Sequence, residues 1–486
     1  MRPMWTEGSR WGRTPRRLAL VVFTFAPAAA LFFLPLAVYK LPLRLYLYDR
    51  LVFVPTGAVL TALLACGAWF AVAIGVVLWP ATARAPARSW SPGALAAAFA
   101  GGSLAGSAAT LATSFCAIPR PVAELVHWLA FAPVAAIVLG AYLLRGWAGQ
   151  GWPFRPWLIW GLIGLDFTVK VLLPLGLAAV GPAAFAVIAL LYGFNAMGLP
   201  ARTQLGALAV LCCLILVALP LKEVLRAIMY RGDAFAVRAC VVTGGAGGAP
   251  AKPPAGTPAS REGYSTALRA YSSQVATHPP ETFGLWWPRL PGSWGVVEYM
   301  AARTVNRLNH LGDFAYVVAT TPSRVPYAHG VTYAPIAGLL VPRALWAGKA
   351  PNDGGGQFYG HRYGFLDPAD TVHSVNLPII TEGWLNDGWP GVLLSAVVVG
   401  AVLRVIWYGW IGESPAPGNV VIGMAVVSAA ADQESSLALL LGGVLHAWVL
   451  YGLFDYLMRR FGKVGAGPVA GDALGPAHAP PVSTAR

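Results

Sequence analysis

Long apolar runs separated by short polar breaks dominate the chain. A bilayer core of about 30 Å needs about 20 apolar residues in a helix. Runs of that character cover residues 18–37, 52–79, 94–116, 124–144, 204–221, 388–410 and 437–458. Three weaker stretches join them. Residues 157–180 carry Asp166 and Lys170, residues 182–197 are short, and residues 419–431 end at the polar stretch Ala431-Asp432-Gln433-Glu434-Ser435-Ser436. The pattern predicts an all-α polytopic membrane protein with about ten transmembrane helices. An even count puts both termini on one side. The first apolar run reads as a retained helix, not a cleaved signal peptide, because it is long and lacks a small-residue exit.

Seven runs precede residue 222, so the segment 222–387 becomes one large loop domain on the other side. It is the one long polar stretch, with 14 Lys/Arg, 11 Asp/Glu and five of the eight His: His278, His310, His329, His361 and His373. Within it, residues 243–260 (TGGAGGAPAKPPAGTPAS) are Gly/Ala/Pro-rich and read as a linker. The expected organisation is therefore an N-terminal transmembrane bundle over 1–221, the loop domain over 222–387, C-terminal transmembrane helices over 388–460 and a disordered tail over 461–486.

Composition sharpens the class. Charged residues make up 11% of the chain and mean hydropathy is +0.61, where a soluble domain carries about 25% charged residues. That excludes a soluble globular protein. The high hydrophobicity likewise excludes intrinsic disorder as the main state. The +14 net charge is unevenly placed. With the N-terminus cytoplasmic, inner segments carry 14 Lys/Arg against 5 on the short outer ones, so the positive-inside rule puts the loop domain outside. Cysteines are few: four lie in apolar segments and Cys240 stands alone, with no metal or disulfide spacing.

Three polar stretches carry candidate chemistry. Residues 295–319 have helical periodicity. Val297, Met300, Thr304, Leu308, Leu311, Ala315 and Val318 form a stripe bordered by a row of Arg303, Arg307 and His310. In the second stretch, Arg343 and Lys349 follow an apolar run at a membrane edge. Arg offers planar bidentate recognition of phosphate oxygens and Lys a point charge, so the pair suits a diphosphate head group. In the third, Glu382 precedes an apolar run, where burial raises a carboxyl pKa toward that of a general base. Plainer readings accompany these. The arginines serve equally as snorkelling anchors, and Glu382 as a cap of the following helix. Asp166 and Lys170, four residues apart, read as an intramembrane ion pair. Gly354-Gly355-Gly356 reads as a flexible turn, not a phosphate loop, and no metal-ligand cluster is present.

These residues resemble the bacterial oligosaccharide repeat-unit polymerases (O-antigen and exopolysaccharide, Wzy-like). Gly330-x-Thr332-Tyr333 is similar to the family's first motif. Pro342-Arg343-x-x-Trp346-x-x-Lys349 matches the second, with Ala350 where the family has Pro. Glu382-x-Trp384-x-Asn386-x-Gly388-x-x-Gly391 matches the third, with Trp384 for Tyr and Asp387 for Phe. The likeness covers about 60 residues by motif. It implies a helical fold like that of lipid-donor (GT-C-like) glycosyltransferases in the bacterial inner membrane, with the loop periplasmic. The implied reaction transfers an undecaprenyl-diphosphate-linked glycan onto a lipid-linked repeat unit, with no cofactor. Glu382 is then the expected base, with His361 or His373 next. Arg343 and Lys349 would hold the diphosphate, with Arg303, Arg307, His310 and Arg362 in support, and Tyr333 and Trp384 would stack on sugars. Implied partners are membrane lipids and the flippase and chain-length regulator of such a pathway, with no nucleic acid. A ligase that moves glycan to a final acceptor, and a lipid-linked oligosaccharide flippase, are the alternatives that the same residues leave open.

Overall fold

In the computed structural model, residues 16–39, 41–47, 51–80, 85–114, 129, 131–146, 155–176, 180–198, 206, 309–339, 341, 354–370 and 374–464 are described. They build an all-α membrane protein with a single small hairpin. The first half runs α1 (Arg16–Phe33, continued by Pro35–Val38), β1 (Leu43–Tyr46), β2 (Leu51–Val54), α2 (Thr56–Leu78), α3 (Pro92–Ser114), α4 (Ala132–Gly146), α5 (Pro156–Phe167) and α6 (Val180–Ala196). The second runs α7 (His310–Thr320), α8 (Gly354–Tyr363), α9 (Ile379–Asp387), α10 (Trp389–Ile406), α11 (Pro417–Ala430) and α12 (Leu437–Val464). Five helical stretches are long and apolar enough to cross a membrane: Arg16–Ala37, Thr56–Leu78, Pro92–Ala112, Trp389–Ile411 and Leu437–Arg460. The helices over Ala132–Leu144, Ala183–Ala196 and Pro417–Ala430 are apolar but shorter. The apolar run 204–221 lies outside the described residues apart from Gly206.

Helices account for these runs because a bilayer offers the backbone no hydrogen-bond partner, so each segment must satisfy its own. The run 52–79 departs at its start. Residues 51–54 pair with 43–46 as an antiparallel hairpin, Leu43 opposite Val54, and the helix begins only at Thr56, after Pro55. Packing is close where glycines permit. A Cβ on Gly400 of α10 would lie 2.8 Å from both the Ala73 carbonyl oxygen and the Val76 Cβ of α2.

One end of the bundle gathers the start of α1 and the end of α12. The Arg16 amide donates to Glu413 Oε2 at 3.1 Å, and Arg17 holds the carbonyls of Val77 and Trp79. Beside them is a buried ionic cluster. Asp455 is fully buried and accepts from Arg88 Nη1 at 2.8 Å, Trp90 Nε1 at 2.9 Å and Arg459 Nε at 3.0 Å. Asn419 accepts from the Arg88 amide at 2.7 Å and donates to the carbonyls of Pro86, Trp410 and Ile411. This is the arginine-rich end. The opposite end carries the hairpin, α7, α8, α9 and the 431–436 turn between α11 and α12.

Three sequence expectations change here. Asp166 does not pair with Lys170: it is fully buried and accepts from Ser103 Oγ at 2.5 Å and Ser107 Oγ at 2.9 Å. A π-helical turn over Thr168–Leu172 follows Asp166. Its wider winding shifts the register, so residues four apart no longer stack. The predicted helix over 295–319 is not continuous either. Asn309 has non-helical backbone angles (φ −82°, ψ 54°) and caps a helix beginning at His310, its side chain accepting from the Gly312 amide. Gly354-Gly355-Gly356 is not a flexible turn but the first turn of α8. A Cβ at Gly356 would collide with the Val375 carbonyl oxygen, so glycine serves close packing there.

Candidate functional site

The site grows from a sharp helical corner. α9 and α10 are joined through Gly388, whose φ of 63° is the left-handed region that favours glycine. A Cβ there would come within 2.8 Å of the Tyr327 hydroxyl. One turn on, a Cβ at Gly391 would run into the Gly383 carbonyl oxygen. The two glycines let α9 fold back onto the start of α10 at backbone contact. This corner holds Glu382 and Asn386 on one buried face of α9.

Asn386 is the joint between two segments far apart in sequence. Its Oδ1 accepts from the Gly330 amide at 2.8 Å. Its Nδ2 donates to Thr332 Oγ1 at 2.8 Å and to the Glu382 carbonyl at 2.9 Å. Backbone bonds from Ala328 N to Leu385 O at 2.9 Å and His329 N to Asn386 O at 3.1 Å extend the seam. Gly330 takes φ 83°, again left-handed, to start the 3₁₀ turn Val331–Gly338. The first and third candidate motifs therefore form one hydrogen-bonded unit.

Glu382 is the chemical centre of that unit. It is fully buried. Its Oε2 accepts from the Leu437 amide at 2.5 Å, while Oε1 has no partner at hydrogen-bonding geometry. Burial pushes its pKa up; the Leu437 amide and the Thr332 hydroxyl oppose this, and the outcome is about 7. The expected cap of the following helix is thus a cap of a different one. Glu382 serves the N-terminus of α12, 55 residues on, where a helix dipole favours negative charge. Beside it, burial raises the Tyr333 phenol above its ordinary value, the Glu382 carboxylate adding to the effect.

The 431–436 turn, in sequence only a polar stretch between two apolar runs, completes the site. Gln433 Nε2 donates to the Thr24 carbonyl of α1 at 3.2 Å, and Glu434 accepts from Asn376 Nδ2 at 2.8 Å. Two carboxylates and an amide between two apolar helices are more than a turn needs, and that excess was the available signal. His310 faces this turn. Its Nε2 is 3.6 Å from Glu434 Oε2 and its Nδ1 is 3.8 Å from Asp313 Oδ2, ion-pair separations that are too long for hydrogen bonds. Burial alone would lower the imidazole pKa, but the two carboxylates outweigh it and raise it to about 9.

The remaining predicted residues divide. His310 is 5% exposed and packs 6.2 Å from the Phe32 ring, on the buried side of α7. Trp384 is buried, edge-on between Phe314 and Trp389. Arg362 ties the Pro326 carbonyl at 2.7 Å and lies over the Phe358 ring. His361 is exposed on the last turn of α8. Arg303, Arg307, Arg343, Lys349 and His373 lie outside the described residues. Among the described residues, no group of His, Cys, Asp and Glu is placed to hold a metal ion. Compared with known protein families, curated proteins and solved structures, the chain matches none.

Proposed function

We propose that this protein is an inner-membrane glycosyltransferase of the repeat-unit polymerase kind. It transfers an undecaprenyl-diphosphate-linked glycan onto a lipid-linked oligosaccharide at the outer face of the membrane. The observation that carries the reading is Glu382. This buried carboxyl has a pKa raised to about 7, one oxygen held by the Leu437 amide and the other near the Thr332 hydroxyl but with no partner at hydrogen-bonding geometry. A base is most effective when its pKa lies near the operating pH.

In this reading the acceptor hydroxyl oxygen attacks the anomeric carbon, and its proton passes to Glu382. The bond from that carbon to the diphosphate oxygen breaks, and the lipid diphosphate leaves with the electron pair. Arg343 and Lys349, with Arg303 and Arg307, absorb the departing charge; preorganised donors of this kind are commonly worth about 10²–10³ in rate each. The turn Val331–Gly338 packs beside Glu382 and moves aside to admit the acceptor. The arginine-rich end faces the cytoplasm, and the ten apolar runs make ten spans.

The test is turnover by purified protein in liposomes with a synthetic undecaprenyl-diphosphate oligosaccharide. A ladder of lengthening products is expected, whereas a ligase would move glycan to a different acceptor without lengthening it. Glu382→Gln keeps an acceptor for the Leu437 amide but removes the base. It should lower the rate at least about 10²-fold with the fold intact. A Gln variant that builds the ladder at wild-type speed would reduce Glu382 to a helix cap and sink this mechanism.

A further inference from the structure

The other end of the bundle offers an independent feature. α2 and α10 meet at backbone contact at Gly400. Beyond that crossing, toward the arginine-rich end, the small side chain of Ala401 leaves a groove of about 230 Å³ walled by Val76 and Val405 and closed by Arg404 and Tyr408. Val405 is 66% exposed, and so is Trp79 just past α2, an aromatic at the depth where a bilayer places its head groups.

Two guanidiniums are held in place here, Arg404 in the groove wall and Arg17 over the ring of Tyr408 that helps close it. Arg404 Nη2 donates to the Pro80 carbonyl at 3.0 Å. Arg17 donates from Nε to the Val77 carbonyl at 2.9 Å and from Nη2 to the Trp79 carbonyl at 2.7 Å. Their carbons lie 4.9 Å (Arg17) and 5.8 Å (Arg404) from the centre of the Tyr408 ring. Carbonyls and a ring face orient a cation without neutralising it. Among the described residues no carboxylate comes within ion-pair distance of either one, whereas Arg88 and Arg459 share Asp455. The result is two anchored positive charges above an apolar channel, both held by carbonyls at the end of the span Thr56–Leu78.

We propose that this groove binds one anionic phospholipid, its phosphate on Arg17 and Arg404 and an acyl chain along Val76, Ala401 and Val405. A zwitterionic head group carries its own cation toward the arginines, whereas a phosphatidylglycerol-type head brings uncompensated negative charge. Basic pockets between helices recognise anionic lipids on this logic. The assignment does not depend on the catalytic reading, since it concerns the opposite end of the molecule.

The probe is the full chain in nanodiscs of phosphatidylcholine with a fixed fraction of phosphatidylglycerol, followed by native mass spectrometry of retained lipid. Wild type should retain phosphatidylglycerol preferentially. Arg17→Gln and Arg404→Gln should each cut that preference about fivefold. Ala401→Leu leaves both guanidiniums in place and fills the groove, so it too should lose the retained lipid, and it keeps the proposal testable if an arginine variant fails to fold. Equal retention of both lipids by wild type, or a preference untouched by Ala401→Leu, would overturn the site. Displacement of the lipid by millimolar inorganic phosphate would overturn the acyl-chain half of the claim.

Discussion

The two ends of the bundle bury polar groups to a similar depth and treat them differently. At the arginine-rich end Asp455 receives three donors from three side chains, and Asn419 uses its oxygen and its amide nitrogen on four backbone groups. At the opposite end Glu382 uses one oxygen, both His310 nitrogens stand off from carboxylates, and Gln433 Oε1, Thr24 Oγ1 and Thr381 Oγ1 are buried without partners. In the first cluster Arg88 Nε also lacks a partner, but its carboxylate and its amide are fully used, and a network of that kind fixes one arrangement and resists change. A buried polar group left unpaired is costly and calls for an explanation other than stability. By that contrast the first cluster is scaffold, and the second is where the proposed reaction belongs.

The scaffold half of the comparison predicts the largest effect. Asp455→Ala strips the counter-charge from Arg88, whose side chain is only 8% exposed. Removing one partner of a buried pair costs about 3–5 kcal/mol. Denaturant unfolding in detergent should register that loss while turnover per folded molecule stays at the wild-type level. A loss under about 1 kcal/mol would place the pair among weak surface bridges and erase the contrast.

Gly391→Ala comes next, at the opposite end. The added methyl meets the Gly383 carbonyl, so the α9–α10 corner must open, at about 1–3 kcal/mol for overpacking of this kind. Because Glu382 and Asn386 ride on α9, this variant should lose activity and stability together, where Asp455→Ala loses stability alone. Equal activity per folded molecule in both would show that the corner does not position the site.

The pH response sharpens the comparison further. Glu382 rises from 4.5 to about 7 in the fold, so the native state holds its proton more tightly than the unfolded chain does. The contribution to stability is complete below pH 4.5 and is lost as pH climbs through 7. His310 rises from 6.5 to about 9, so its contribution is complete below 6.5 and lost through 9. Thermal unfolding should therefore weaken across both windows. Glu382→Gln should flatten the lower window and His310→Gln the upper. Under the proposed mechanism, turnover should run the other way, rising through pH 7 as stability falls.

Much of the scaffold was legible as apolar length. The runs at 18–37, 94–116, 182–197, 388–410, 419–431 and 437–458 each fall on a helix, because lipid leaves the backbone few alternatives. What composition could not show is partnership across the chain. Nothing near Glu382 in sequence announces the Leu437 amide, and Arg88 finds Asp455 367 residues away. Local spacing also misled where the backbone departs from ideal winding. The π turn after Asp166 separates it from Lys170, and Asn309, with non-helical backbone angles, starts a new helix at His310. In the sequence the motif glycines and Asn386 are a string of letters; their physical content, a corner and a hydrogen-bonded seam, exists only in three dimensions.

The smallest effects separate two adjacent residues of α8. His361 is exposed, so His361→Ala should change stability by no more than about 0.5 kcal/mol. Arg362 donates to the Pro326 carbonyl and covers Phe358, so Arg362→Ala should cost about 1 kcal/mol for the lost bond. That loss would loosen the segment leading to Tyr327 and Gly330. If either residue instead meets substrate, its variant should raise KM for the lipid-linked donor at unchanged stability, and Arg362→Lys should rescue charge but not the bond. A KM that stays fixed in both variants assigns Arg362 to support of the 321–330 segment and leaves His361 a solvated surface residue. The unsaturated cluster around Glu382 would then be the whole of the described chemistry at that end.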